Sequence, residues 1–419
     1  MADPDPEQSI HVLLLPNPSQ GHINPILQFG KRLAAHRDVR CTTGAGEHST
    51  TAGGVAGGGV HVATVSDGCD AGGFDEAGGI VAYTARLEAA GSETVGALLR
   101  SKAELGRPRV ARWHGVASAA FFTQPCAVDV AYGPALAGLL DTPLVGEMTP
   151  PIDLPGLPGG LRLCDMPTFL TDQGDDRAYL DLLVNQFSGL DTADHVLVNS
   201  FYELQAQESE YMASTWRAKT VGPTVPSAYL DKRLPDDTSY GFHLYTPLTA
   251  VTRAWLDARP ARSVVYVSFG SLAKPNLVQM AEMAEGLYNS GKNFLWGLVL
   301  AHPAIGCSMM HCGWNSTMEG MGAGVPMVAM PQWSDQTMNA KYIEDMWRVG
   351  VRVCPDENGV VRKEEVERCV REVMVGEKSA EYRRNVTDWK EKAKSAMSVG
   401  GSSDNNIIQF LRKLGLKSA

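Results

Sequence analysis

Between Leu300 and Gln336 the sequence crowds polar and small residues around two turns. The apolar run Cys307–Met310 reads as a buried strand, and Asn315–Met321 as the helix after it. His311, Gly313, Trp314, Asn315 and Ser316 then fall at the strand's carboxyl end and in the helix's first turn. In open α/β sheets ligands bind there, and the backbone N–H groups and dipole of a helix start favour a phosphate. Gly313 lets a diphosphate approach the backbone, while His311 and Ser316 can donate hydrogen bonds to it. Asn315 and Ser316 lie four and three residues before Glu319, so the three share a helix face. An acidic side chain beyond a phosphate site suits a ribose diol. A second helix, Gln336–Trp347, follows Ser334, read as its N-cap. Asp335 and Gln336 at its mouth pair a carboxylate with an amide, a combination that suits sugar hydroxyls. Gly270 and Ser271, after the strand Ser263–Ser268, add a backbone donor and a hydroxyl.

Each residue also has an ordinary reading. A lone His311 could be a satisfied core histidine, Trp314 and Trp333 core fillers, and Glu319 a solvated helix residue. The combination, with glycine-bearing turns at two strand ends, is what points to a ligand that carries both phosphate and hydroxyl groups.

The elements that must position these groups form two successive α/β patterns. Ile10–Leu15 is an apolar run ended by Pro16, followed by a polar loop and a helix from about Asn24 to Ala35. His61–Val65, Ser118–Phe122 and His195–Asn199 read as further strands. Tyr83–Leu99 and Thr123–Gly133 read as helices, and Phe201–Leu204 opens another. Gly222–Asp237, rich in Pro, Asp and Ser, reads as a linker. Beyond it the pattern restarts with the strand Ser263–Ser268, helix Val278–Tyr288 and strand Pro326–Met330. Gly44–Gly59 is glycine-rich but lacks a following helix and GxGxxG spacing, so it reads as a loop without a phosphate role. Asn17–Gly21 carries no dinucleotide fingerprint either, which argues against a nicotinamide-dependent oxidoreductase.

The chain has 419 residues, which calls for two domains, and 44% hydrophobic against 20% charged residues is an ordinary globular composition. A net charge of −10 speaks against nucleic-acid and anionic-membrane partners. The eight cysteines form no CxxC pair, which fits reduced thiols in the cytoplasm. The acidic Met1–Ser9 does not resemble a signal peptide, and no apolar run is long enough to span a bilayer.

HCGWNSTMEG (311–320) and PQWSDQ (331–336) resemble the signature of plant family-1 UDP-glycosyltransferases, and PSQGHINP (18–25) and SFGS (268–271) extend the resemblance over most of the chain. It implies a GT-B fold, two Rossmann-like domains with parallel sheets facing a cleft. The chain then divides into an acceptor-binding domain 1–222, a linker 223–250, a UDP-sugar domain 251–400, and a C-terminal helix in 401–419 packing back on the first domain. The implied activity is inverting transfer of glucose from UDP-glucose to a hydroxyl or carboxyl group of a small hydrophobic acceptor. No cofactor or metal is implied, only the donor UDP-glucose. His311 and Ser316 would contact the diphosphate, with Gly313, Trp314 and Asn315 helping and Ser271 nearby. Glu319 would bind the ribose, and Asp335 and Gln336 the hexose, Gln336 being associated with glucose. His22, on the loop after the first strand, would be the general base, since a neutral imidazole can take the acceptor's proton. Phe121, Phe122, Met148 and Phe169 are candidates for the acceptor pocket.

The sequence departs from the family pattern twice. The Trp-x-Pro-Gln that supplies a uracil-stacking tryptophan is missing after Trp296, and Trp296 itself belongs to the preceding strand. Near Gly106–Val110 there is no strand ending in the aspartate that orients the catalytic histidine, and Asp129 lies in a later helix. The alternative reading is therefore a shortened relative, catalytically impaired or misfolded.

Overall fold

In the computed structural model, Ile10–Leu14 forms the first strand, β1, and Pro16 keeps it from continuing. The structure describes residues 10–45, 58–104, 117–145, 152–171, 177–240, 249–271, 273, 275–296 and 300–416. Residues 1–9, most of the glycine-rich loop, Gly106–Val110, Met148 and the residues just after Trp296 lie outside that description. Two compact units result: Met1–Leu139, Gly174–Thr246 and Ala396–Ala419 in the first, Leu140–Gln173 and Pro247–Ser395 in the second.

In the first unit β1 pairs in parallel with β2 (Val39–Ala45), and β2 with β3 (Val60–Thr64). A second parallel sheet joins β4 (Ala119–Phe122), β5 (His195–Val198) and β6 (Ala218–Thr220). Among the described residues no strand hydrogen-bonds these two three-stranded sheets together. The helix Gln20–Ala34 buries Ile23, Ile26, Leu27, Phe29 and Leu33. Leu27 and Leu33 are fully buried, which stabilises the unit by roughly 1.5–3 kcal/mol per side chain. Phe29 meets Phe121 at 5.2 Å and Phe410 of the C-terminal helix at 6.0 Å.

That helix begins a turn before the expected Asn24, because the amides of His22 and Ile23 bond back to the Ser19 carbonyl. Pro25 therefore sits inside the helix rather than at its start. His22 accordingly lies in the first helical turn and not on a loop. Phe201–Leu204 makes only a 3-10 turn at Tyr202–Leu204 before the helix Ala206–Trp216.

The stretch read as a linker is tied to the first unit. Lys31 pairs with Asp237 at 2.7 Å, both side chains buried, and Arg32 grips Asp231 with two bonds of 2.6 and 2.5 Å. Buried charges in such numbers stay only where they are paired. The C-terminal helix Ser402–Lys413 docks on the same unit: Ser403 donates to the Gly222 carbonyl and Asn406 to that of Thr220. Polar carbonyls at and just past the end of β6 thus find partners under a helix that also buries Phe410.

The second unit has one five-stranded parallel sheet of β7 (Val264–Ser268), β8 (Asn293–Trp296), β9 (Ile305–Met310), β10 (Met327–Ala329) and β11 (Gly350–Arg352), in the order β11-β10-β9-β7-β8. Val265, Val267, Cys307 and Met309 face the helices Leu277–Asn289 and Lys363–Val375 through Met283, Leu287, Val366 and Val370. Val264, Tyr266 and Ile305 pack on Leu256 across the other face. Both faces being covered explains why β7 and β9 read as continuous apolar runs. β8 is an edge strand, and Trp296 at its end is 45% exposed and lies 5.7 Å from Phe269.

Residues 140–173 cluster with this unit, although the sequence division put them in the first domain. Asp165 is buried and accepts from Arg352 at 2.9 Å, and Thr337 donates to the Met166 carbonyl at 2.6 Å.

Candidate functional site

Because β7 and β9 are parallel neighbours, with Ser268 opposite Met310, their following turns lie side by side. Gly270 and Ser271 follow β7, and His311–Gly313 follow β9. The imidazole of His311 lies against both glycines: a Cβ on Gly270 would sit 2.7 Å from His311 Nε2, and one on Gly313 would also collide with the ring. Gly270 has φ +70, a conformation that itself favours glycine. Burial pushes the His311 pKa down to about 4, with the Ser268 backbone acting the other way. The ring is therefore a neutral group near neutral pH. Its Nδ1 is buried away from any ligand, whereas Nε2 faces the two glycine turns and is the ring nitrogen that a ligand there would meet.

Gly313 is the N-cap of the helix Trp314–Ala323 and offers no side-chain acceptor to its first turn. Asn315, Ser316 and Glu319 are half-buried on this helix. Burial first, then the Glu319 carboxylate, push the Tyr266 phenol above its ordinary value, so Glu319 lies toward β7. Trp314 is only 4% exposed and packs 6.1 Å from Trp347. Its indole packs in the core.

The second turn is held by its own side chains. Ser334 is not the N-cap: it has φ +62, and Asp335 occupies the capping position before the helix Gln336–Lys341. Ser334 instead exchanges hydrogen bonds with Thr168, its amide donating at 2.7 Å to Oγ1 and its carbonyl accepting at 3.0 Å from the Thr168 amide. The helix changes to a π-helical turn over Tyr342–Met346, short of the single helix to Trp347 that the sequence suggested. Gln336 Oε1 accepts from the amides of Gln332 at 2.9 Å and Trp333 at 3.2 Å. With the oxygen so engaged, Nε2 is the group of Gln336 suited to a ligand. Asn339 Nδ2 donates to Asp335 Oδ2 at 2.7 Å and to the Cys312 carbonyl at 2.9 Å, joining the two turns. Burial raises the Asp335 pKa to about 6, against the lowering effect of the Asn339 bond. Sequence reading missed Asn339, though its place four residues after Asp335 puts it on the same helix face.

In the first unit, His22 Nδ1 lies 2.8 Å from Thr123 Oγ1. Thr123 directly follows β4, and it too escaped the sequence reading. Burial lowers the His22 pKa from 6.5. Of the acceptor-pocket candidates, Phe122 and Phe169 are buried, Phe122 5.3 Å from Phe187 and Phe169 edge-on to Trp333 at 5.5 Å. Phe121 packs on Phe29. Phe122 and Phe169 are core residues, and Phe121 is half-buried.

The second unit thus gathers Ser271, His311, Gly313, Trp314, Asn315, Ser316, Glu319, Asp335 and Gln336 around the carboxyl ends of its strands, and the first unit holds His22.

Residues 297–389 match the family model described as UDP-glucoronosyl and UDP-glucosyl transferase. UDP-glucosyltransferase UGT13248 of Hordeum vulgare subsp. vulgare is 45% identical over 96% of this chain and 94% of its own. UDP-glycosyltransferase 79 of Oryza sativa subsp. japonica is 44% identical over 96% of each. A crystal structure of Os79 from O. sativa in complex with UDP superposes with a TM-score of 0.88 at 42% identity, covering 96% of this chain and 100% of that one. The likeness and the two Rossmann-like units with parallel sheets make the fold class GT-B. The alignment with the barley enzyme runs over 449 positions against 419 residues here, so the barley enzyme carries residues that this chain lacks.

Proposed function

This chain belongs to the UDP-glucoronosyl and UDP-glucosyl transferase family, as a plant family-1 glycosyltransferase, and we propose that it transfers glucose from UDP-glucose to a hydroxyl or carboxyl group of a small hydrophobic acceptor with inversion. The observation that carries the donor half is the neutral His311 ring, its Nε2 set against Gly270 and Gly313 at the start of the helix Trp314–Ala323. In this reading the diphosphate lies against that helix start, with His311 and Ser316 as neutral donors and Glu319 on the ribose. Asp335 and the Gln336 amide take the hexose hydroxyls. His22 removes the acceptor's proton, the acceptor oxygen forms a bond to the anomeric carbon, and the bond from that carbon to the diphosphate breaks. Charge growing on the leaving UDP is met by the helix dipole and the donors around it. A cytoplasmic location is part of the proposal. Among the described residues no helix is long and apolar enough to cross a membrane.

Incubating the full chain with UDP-glucose and a panel of phenolic, terpenoid and carboxylic acceptors tests the reading. A hexoside of β configuration, formed together with UDP, is the expected product. An α-glucoside would remove inversion, and UDP release without any glycoside would remove acceptor transfer.

A second reading has its own support. The first unit's strands fall into two sheets with no hydrogen-bonded strand joining them among the described residues, and the barley relative carries residues missing here. An impaired relative would bind UDP in calorimetry while forming no glycoside with any acceptor.

A further inference from the structure

His22 and Thr123 link the helix after β1 to the end of β4. His22 is in the first turn of the helix that follows β1, and Thr123 is the residue after β4. Their 2.8 Å hydrogen bond is made by residues 101 positions apart in the chain. Among the described residues it is the side-chain hydrogen bond that His22 makes, and it bears on how the ring is turned.

We infer that Thr123 is the positioning residue for His22: its Oγ1 accepts the Nδ1–H, which holds the imidazole in the tautomer whose Nε2 keeps a lone pair for the acceptor's proton. The inference rests on the reading of His22 as the base. A threonine oxygen has two lone pairs and can accept from an imidazole N–H while its own hydroxyl hydrogen points elsewhere. The reverse arrangement, with the hydroxyl donating to Nδ1, would put the ring proton on Nε2 and leave no base at the reactive nitrogen. The site thus works in one of its two hydrogen-bonding directions only.

A hydroxyl does part of what a carboxylate would do. It orients the ring and selects its tautomer, but it brings no negative charge to stabilise the imidazolium formed after proton transfer. Its removal should therefore cost far less than the roughly 10⁴-fold loss seen when a triad carboxylate is neutralised. A neutral hydrogen bond corresponds to a kcat loss of roughly 3- to 10-fold. Burial of His22 disfavours the doubly protonated ring and so keeps it neutral, which the Nδ1–H bond by itself would not do.

The test is the tautomer itself, read in the full chain labelled with 15N-histidine. His22 is identified by the signal lost in His22→Gln. Long-range 15N–1H spectra should show the proton on Nδ1 in the wild type and in Thr123→Ser. In Thr123→Val, which keeps the side chain's shape, the ring should move toward the Nε2–H form. The same variant should lose roughly 3- to 10-fold in kcat with KM for UDP-glucose unchanged. A wild-type proton on Nε2, or a tautomer that Thr123→Val leaves alone, overturns the inference, and the spectra decide this whatever the turnover. Turnover retained by His22→Gln would instead remove the base reading. If His22→Gln abolishes turnover but Thr123→Val alters neither tautomer nor kcat, the base stands and Thr123 falls.

Discussion

The ring of His311 occupies the space that a side chain on Gly313 would need: a Cβ built on Gly313 runs into His311 Nε2. Gly313 has φ −60 and ψ 143, which alanine adopts without strain, so Gly313→Ala is a purely steric perturbation. Overpacking of this kind costs about 1–3 kcal/mol. The ring must shift, and the Nε2 that faces the turns shifts with it. UDP affinity should fall roughly 10-fold, as about 1.4 kcal/mol requires, while the circular dichroism spectrum is preserved. Gly270→Ala adds a left-handed φ of +70 to its clash and should lower the melting temperature as well. Wild-type affinity in Gly313→Ala, measured by calorimetry, would contradict this account of the site.

His22 must be neutral to act as a base. Burial lowers its pKa from 6.5, and its place in a helix's first turn disfavours a cation in the same direction. Below its pKa the protonated ring cannot accept a proton, and above it the base is fully available. The acid limb of kcat/KM against pH should therefore lie below 6.5. A limb at or above that value would mean that a negative charge faces the ring, or that another group is the base.

Much of this was legible in the sequence. β7 and β9 are covered on both faces, so their apolar runs stand out, and the residues after them follow from the rule for strand ends. β2 was missed because Arg40 and the polar pair Thr42–Thr43 break its apolar run, and β6 because it is only three residues long. Helix starts were the weaker part. Pro25 marks a first turn in most helices, yet here the chain bonds back to Ser19 and takes His22 into the helix. Ser334 has the chemistry of an N-cap, but its positive φ and its bonds to Thr168 give it another task. Thr123 and Asn339 matter only through partners brought by folding, and no spacing rule connects Thr123 to His22.

Two buried groups of the second unit should oppose each other in acid. The folded pKa of His311 is about 4 against 6.5, so its contribution to stability is full above 6.5 and is lost as pH falls toward 4. The folded pKa of Asp335 is about 6 against 3.8, so its buried carboxylate penalises the fold above 6 and the penalty is relieved as pH falls toward 3.8. Each amounts to about 3 kcal/mol at roughly 1.4 kcal/mol per pKa unit, and the signs are opposite. Asp335→Asn removes only the second. It should be the more stable protein at neutral pH and lose that advantage on acidification through 6. Urea unfolding of both proteins across this range gives the difference directly, and a difference that does not change with pH would show that Asp335 is not a buried carboxylate.

Phe410 is the point at which the C-terminal helix is anchored. It is 5% exposed, 6.0 Å from Phe29 and 4.9 Å from His195, so its removal opens a cavity between that helix, the helix bearing His22 and β5. Phe410→Ala should cost about 3–5 kcal/mol. All of these contacts lie in the first unit. Amides of Gln20–Ala34 and of Ser402–Lys413 should therefore exchange faster with deuterium, while those of β7 and β9 keep their protection. Loss of the Ser403 and Asn406 bonds should follow, because they depend on the same helix remaining docked. Unchanged exchange in Gln20–Ala34 would show that Phe410 does not anchor the helix. Equal loss in β9 would show that the two units unfold as one.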